Sequence, residues 1–159
     1  MTRAIGLTVL SVLIAGAVSG EDSPEMAMRL INQGAYKDGV AVFERLAEKG
    51  DVRAMTTLGT YYQYGDGIVP VDEVKALEWH LRAFEKKTSS DSINNIGVLY
   101  RDAQSIPRDI VLAQALFSWA IETAKNDDQI NRAEKNLAKV DVYISKEQIE
   151  RAKKLNKKD

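Results

Sequence analysis

Proton transfer near neutral pH falls to one residue in this chain of 159, since His80 is the sole histidine and there is no cysteine. A Ser-His-Asp triad would have to be built on it. A zinc site would find no second imidazole and no thiolate, and no cofactor is expected. His80 follows Trp79 in a helical stretch crowded with Lys and Arg, a setting that reads as surface or boundary. The other acid–base candidates are carboxylates. Asp127-Asp128 stands where a helix begins, and capping accounts for it. Asp66 and Asp102 lie in or beside loops and lack the clustered acidic spacing of a calcium site. Gly65-Asp66-Gly67 is not followed by the Gly-Lys-Ser or Gly-Lys-Thr of a phosphate loop. The residues point away from an enzyme.

What they offer instead is a row of contact side chains. Ala54, Leu58 and Tyr62 are spaced by four and share one helical face. With Leu58 pointing inward, a step of about 100° per residue puts Arg53, Thr56, Thr57, Thr60, Gln63 and Tyr64 on the opposite side. The same stripe further along is Asp91, Asn94, Asn95, Val98, Arg101 and Asp102. The expected partner-binding residues are Arg53, Thr57, Thr60, Tyr64, Asp91, Asn94, Asn95, Val98 and Arg101, with Arg53 and Tyr64 as anchors.

The second stripe exists because the chain repeats. Leu58-Gly59 with Tyr62 recurs as Ile96-Gly97 with Tyr100, 38 residues on, and Asp72 with Ala76 recurs as Asp109 with Ala113, 37 on. The one-residue difference falls in the intervening loop, where insertions belong. Each copy reads as two helices. Asp51 is placed to cap the first, and Asp72 or Asp109 the second. The glycine after Leu58 lets a neighbouring helix come close, and Tyr64-Gly65-Asp66-Gly67 ends the first helix through left-handed glycine turns. Trp79 and Trp119 fall on faces rich in Ala and Leu and read as core.

A partial copy precedes these two, with a helix from Ser23-Pro24-Glu25 to about Gln33 and another from about Asp38 to Lys49. After them, Gln129 to Val140 reads as a further first helix carrying Ala133 and Leu137, and Ser145-Lys146-Glu147-Gln148 as a capping box that opens the last. The divisions are 1–20 leader, 21–50 partial repeat, 51–88 repeat one, 89–126 repeat two and 127–159 closing helices.

The leader is a secretory signal by layout. Fifteen uncharged residues, Ala4 to Val18, follow Arg3 and end in small residues before Glu21 and Asp22. That is short of the roughly 20 residues a membrane span needs. Cleavage between Ala17 and Glu21 would export the chain, where it holds together without disulfides. Net charge is −1, and the basic stripe of a nucleic-acid binder is missing. From Ser145 to Asp159 six basic residues face three acidic ones, so membrane contact is open only through this last segment.

These repeats resemble the Sel1-like repeat, a relative of the tetratricopeptide repeat with a longer loop. The first copy carries Ala54, Leu58-Gly59, Tyr62, Gly65-Asp66-Gly67-Ile68, Asp72, Lys75-Ala76 and Trp79. The second departs from it: Ser92 replaces the alanine, Ala103 and Ser105 both loop glycines, and Leu116 the tryptophan, which puts the second loop's geometry in question. The flanks, Leu46 to Asp51 and Ile144 to Ile149 with Ala152, are similar too. The resemblance implies an all-α, right-handed α-solenoid of about eight helices. It implies no shared catalytic residues and a protein partner, gripped at Thr57 and Asn95 through its backbone. The functional expectation is a non-enzymatic periplasmic interaction module of a Gram-negative bacterium: an adaptor, an envelope regulator or a toxin-neutralising immunity protein, as monomer or dimer. The runner-up is a cell-wall-associated enzyme or peptidoglycan-binding protein.

Overall fold

Side chains that accept from free helix amides set where most of the helices start. The computed structural model describes residues 22–140 and 145–154, and eight helices follow one another within them, with no strand. α1 (Pro24–Asn32) opens on Ser23, whose hydroxyl accepts from the Met26 amide at 3.1 Å. α3 (Val52–Tyr64), α4 (Glu73–Lys86) and α6 (Ile110–Thr123) open on Asp51, Asp72 and Asp109, each carboxylate 2.9 Å from the amide three residues on, as the sequence predicts. α5 (Ser90–Asp102) is capped by Ser89 and α7 (Asp127–Leu137) by Asn126. Asp127 and Asp128 are therefore first-turn residues, one and two places inside the cap, where negative charge meets the positive end of the helix. That cap also starts α7 two residues before the expected Gln129. α2 (Tyr36–Glu48) starts without a side-chain cap, and α8 spans Lys146–Lys153. The expected leader, Ile144 of the closing motif and the basic residues Lys157 and Lys158 lie outside the described residues. None of the described helices is long and apolar enough to cross a membrane.

The helices stack as an all-α solenoid of two layers. α1 packs on α2, α3 on α4 and α5 on α6, and each pair packs on the next. α3, α5 and α7 are neighbours in one layer, while α8 docks on α6 in the other. Alanines make the close contacts: Ala54, Ala76, Ala83, Ala113 and Ala120 are all fully buried. Trp79 and Trp119 are core, as expected, and Trp119 meets Phe84 edge-to-face with ring centroids 5.3 Å apart.

Both complete hairpins close on a glycine. A Cβ on Gly59 would stand 2.5 Å from His80 Cε1, and one on Gly97 would stand 2.7 Å from Phe117 Cε1. His80 is thus the counterpart of Phe117, and the expectation of a surface or boundary residue is wrong: it is fully buried. The nearby basic residues point elsewhere. Arg82 lies over the Trp79 ring at 4.2 Å and pairs with Glu48 at 2.9 Å, leaving the imidazole as the face turned to α3. Neither ring nitrogen has a hydrogen-bond partner among the described residues, and burial pushes the imidazole down to about 4.

The two inter-helix loops reach the same closure by different routes. The Asp72 amide donates to the Tyr62 carbonyl at 2.8 Å, and the Asp109 amide to the Tyr100 carbonyl at 2.9 Å. The first loop passes through the left-handed region at Gly65, Asp66 and Gly67, with φ of 75°, 44° and 72°. The second, without glycines, leaves α5 through an extended Ala103 (φ −63°, ψ 146°). Its next two amides, Gln104 and Ser105, donate to the Glu73 carboxylate of α4 at 2.9 and 2.7 Å. A carboxylate from the preceding repeat does the work that glycine does in the first loop.

Candidate binding groove

The outward stripe of α3 faces α5 across two hollows. The smaller, about 360 Å³, lies between Arg53, Thr56 and Thr57 on one side and Lys87, Ser89 and Asp91 on the other. The larger, about 570 Å³, is lined by Thr60, Gln63 and Tyr64 of α3, Asn94, Asn95, Val98 and Arg101 of α5, and Arg132 and Asn136 of α7 with Lys139 beyond it. All nine residues expected to contact a partner line one hollow or the other.

They are not alike in availability. On α3, Arg53 is exposed, Tyr64 is 54% exposed, and Thr57 and Thr60 are half-buried. Thr60 donates to the Thr56 carbonyl of its own helix at 3.0 Å. On α5 the sequence places Asn94, Val98 and Arg101 on a solvent-facing stripe, and the structure buries all three. The reason is α7, which lies against that face. Asn94 Oδ1 accepts from Asn136 Nδ2 at 2.9 Å. The Asp91 carboxylate accepts from Gln129 Nε2 and Arg132 Nη1, each at 2.8 Å. Val98 joins an apolar cluster with Ala113, Phe117 and Val140.

Arg101 is the most heavily engaged. Its Nε and Nη2 donate to the two Asp102 oxygens at 2.7 and 2.6 Å, and Nη1 donates to the Asn136 backbone oxygen at 3.1 Å. The guanidinium sits over the Phe117 ring, 5.2 Å from its centroid. Such a planar fork, matched to a carboxylate and a helix-end carbonyl, fixes α7 against α5. The Arg101 hydrogen bond holds the Asp102 carboxyl below its ordinary range. Burial first, then the Asp102 and Asp66 charges, pushes the Tyr64 phenol up, so it remains a hydrogen-bond donor at neutral pH. The α5 side is a braced wall, and the α3 side is the available one.

Among the lining residues outside the sequence stripe are Glu73, Arg132, Asn136 and Lys139 of the larger hollow and Lys87 and Ser89 of the smaller. A signal for two of them is present. Setting Ala133 and Leu137 on Ser92 and Ile96 places Arg132 and Asn136 at the positions of Asp91 and Asn95. Among the described residues, no three His, Asp or Glu side chains gather where a metal ion could be held.

A groove between successive first helices is what a stack of two-helix repeats produces, and the chain's sequence matches such a family directly. The pattern described as the Sel1 repeat matches residues 52–87 and 90–122. The chain carries two Sel1 repeats. These repeats generally mediate protein–protein interaction, and proteins built from them are typically non-enzymatic. Among curated proteins, this Sel1-repeat chain is similar to "Protein sel-1 homolog 2" of Mus musculus and of Rattus norvegicus, 28% identical to each over 89 residues. The aligned stretch covers 56% of this chain and 13% of either relative, so the chain spans a small part of their length. No solved structure matches it.

Proposed function

We propose that this chain is a non-enzymatic protein-binding module that holds a partner in the groove between α3 and α5. The observation that carries the reading is the contrast between the groove's two sides. One wall is fixed by Arg101, Asn94 and Asp91 bonding to α7. The other presents Arg53 and Tyr64 to solvent. A fixed wall lowers the ordering cost of binding, and exposed Arg and Tyr are the residue types that dominate contact energies. His80 supports the non-enzymatic part: it is buried, and among the described residues no hydroxyl stands hydrogen-bonded to either ring nitrogen as a nucleophile would.

The module works in the periplasm of a Gram-negative bacterium, exported on the Ala4 to Val18 leader, as an adaptor, an envelope regulator or a toxin-neutralising immunity protein. As a regulator it holds a receptor's outer domain in one state, and as an immunity protein it blocks a toxin's cleft. Affinity capture from host envelope extract tests the reading, with the parent beside an equally helical Arg53→Ala/Tyr64→Ala/Asn95→Ala variant. One protein retained by the parent and lost by the variant is expected. The same protein retained by both would move the binding surface off this groove.

A further inference from the structure

The charges lining the groove do not balance. Resting on the binding reading above, we propose that the segment it accepts is acidic: an extended stretch of partner chain rich in Glu or Asp. Three carboxylates line the two hollows, and all three are occupied. Glu73 takes the Gln104 and Ser105 amides, Asp91 takes Gln129 and Arg132, and Asp102 takes Arg101. Five cations line the same hollows, a surplus of two in a chain whose net charge is −1. Arg53 and Lys87 in the smaller hollow and Lys139 in the larger have no carboxylate within 4.0 Å among the described residues.

Neutral donors extend the pattern. Among the described residues, neither the Thr57 hydroxyl nor the Asn95 amide nitrogen donates a hydrogen bond; Asn95 uses only its oxygen, accepting from Asn94 at 3.4 Å. An incoming carboxylate supplies what these donors and cations lack. The dimensions suit a chain segment. Arg53 and Tyr64 lie eleven positions apart on α3, about 16 Å at 1.5 Å per residue, a length that about five extended residues span. The surplus is too small for a nucleic acid, whose affinity rests on many phosphate contacts.

The test is fluorescence anisotropy with two labelled ten-residue peptides, one alternating Glu and Ser and the other Lys and Ser. The Glu peptide is expected to bind at low salt and the Lys peptide not to. Affinity should fall roughly tenfold or more as salt rises from about 0.05 to about 0.5 M, because screening shortens the reach of the cations. An Arg53→Glu/Lys87→Glu variant, checked for unchanged helicity, should lose roughly tenfold or more in Glu-peptide affinity. Failure of the Glu peptide to bind at low salt, or equal binding by the charge-reversed variant, would overturn the proposal. If the Glu peptide fails while the captured partner is still lost from the Arg53/Tyr64/Asn95 variant, the groove stands and its acidic preference falls.

Discussion

His80 and Phe117 solve the same packing problem with different chemistry. Each ring fills the space above a helix glycine, but the imidazole brings two nitrogens that find no partner among the described residues. An unsatisfied buried polar group costs about 1–3 kcal/mol, and the cost grows when the solvent offers protons. In the unfolded chain the imidazole takes up a proton below its ordinary 6.5, whereas the folded site resists until about 4. Stability is therefore full above pH 6.5 and declines as pH falls toward 4, by an amount on the order of 3 kcal/mol. Urea unfolding followed between pH 7 and pH 4 should show this decline, and His80→Phe should flatten it and raise the midpoint at pH 5. Gly97→Ala should cost about 1–3 kcal/mol, because its methyl would press on the Phe117 ring. Thermal unfolding checks that directly. The burial of His80 could have been read from its place 37 residues before Phe117, but Lys and Arg nearby in sequence suggested a wet surface. On a helix, residues adjacent in sequence face different ways, and Arg82 turns over Trp79 without touching solvent access at position 80.

At the scale of elements, caps and repeats were legible and cross-helix bracing was not. Asp51, Asp72 and Asp109 announce helix starts because a short acidic side chain reaches an amide three residues on, a purely local geometry. The second loop needs something local reading does not supply. Its glycines are gone, and the compensation is Glu73, some thirty residues earlier, which accepts from the Gln104 and Ser105 amides. Glu73→Ala should cost about 1 kcal/mol and should speed hydrogen exchange at those two amides while leaving the Asp72 amide of the first loop unchanged. Either effect missing would mean the loop holds without the carboxylate. The α5 stripe misled for a related reason. Asn94, Val98 and Arg101 do lie opposite the helix's inner face, but α7 covers them. A helical wheel assigns faces; only the next repeat decides which of them stay open.

The whole molecule is a row of helix pairs whose neighbours define each other's surfaces. In such a stack each repeat contacts the one before and the one after, so the groove's character changes along the chain. Where α5 meets α7 the gap is bridged by side-chain hydrogen bonds, and where α3 meets α5 it stays open as two hollows. The architecture was readable from the steps of 37 and 38 residues, because a repeated pattern of small and apolar positions admits few other packings. The asymmetry of the groove was not, because it depends on Arg101, Asn136 and Asp91 finding each other across helices. The central claim is that the open α3 side receives a protein partner. Site-specific photo-crosslinking in the host tests it most directly, with the crosslinking residue placed in turn at Tyr64 in the groove and at Val111 on α6 in the other layer. One discrete adduct is expected from position 64 and none from position 111. The same adduct from both positions, or an adduct from 111 alone, would contradict the claim.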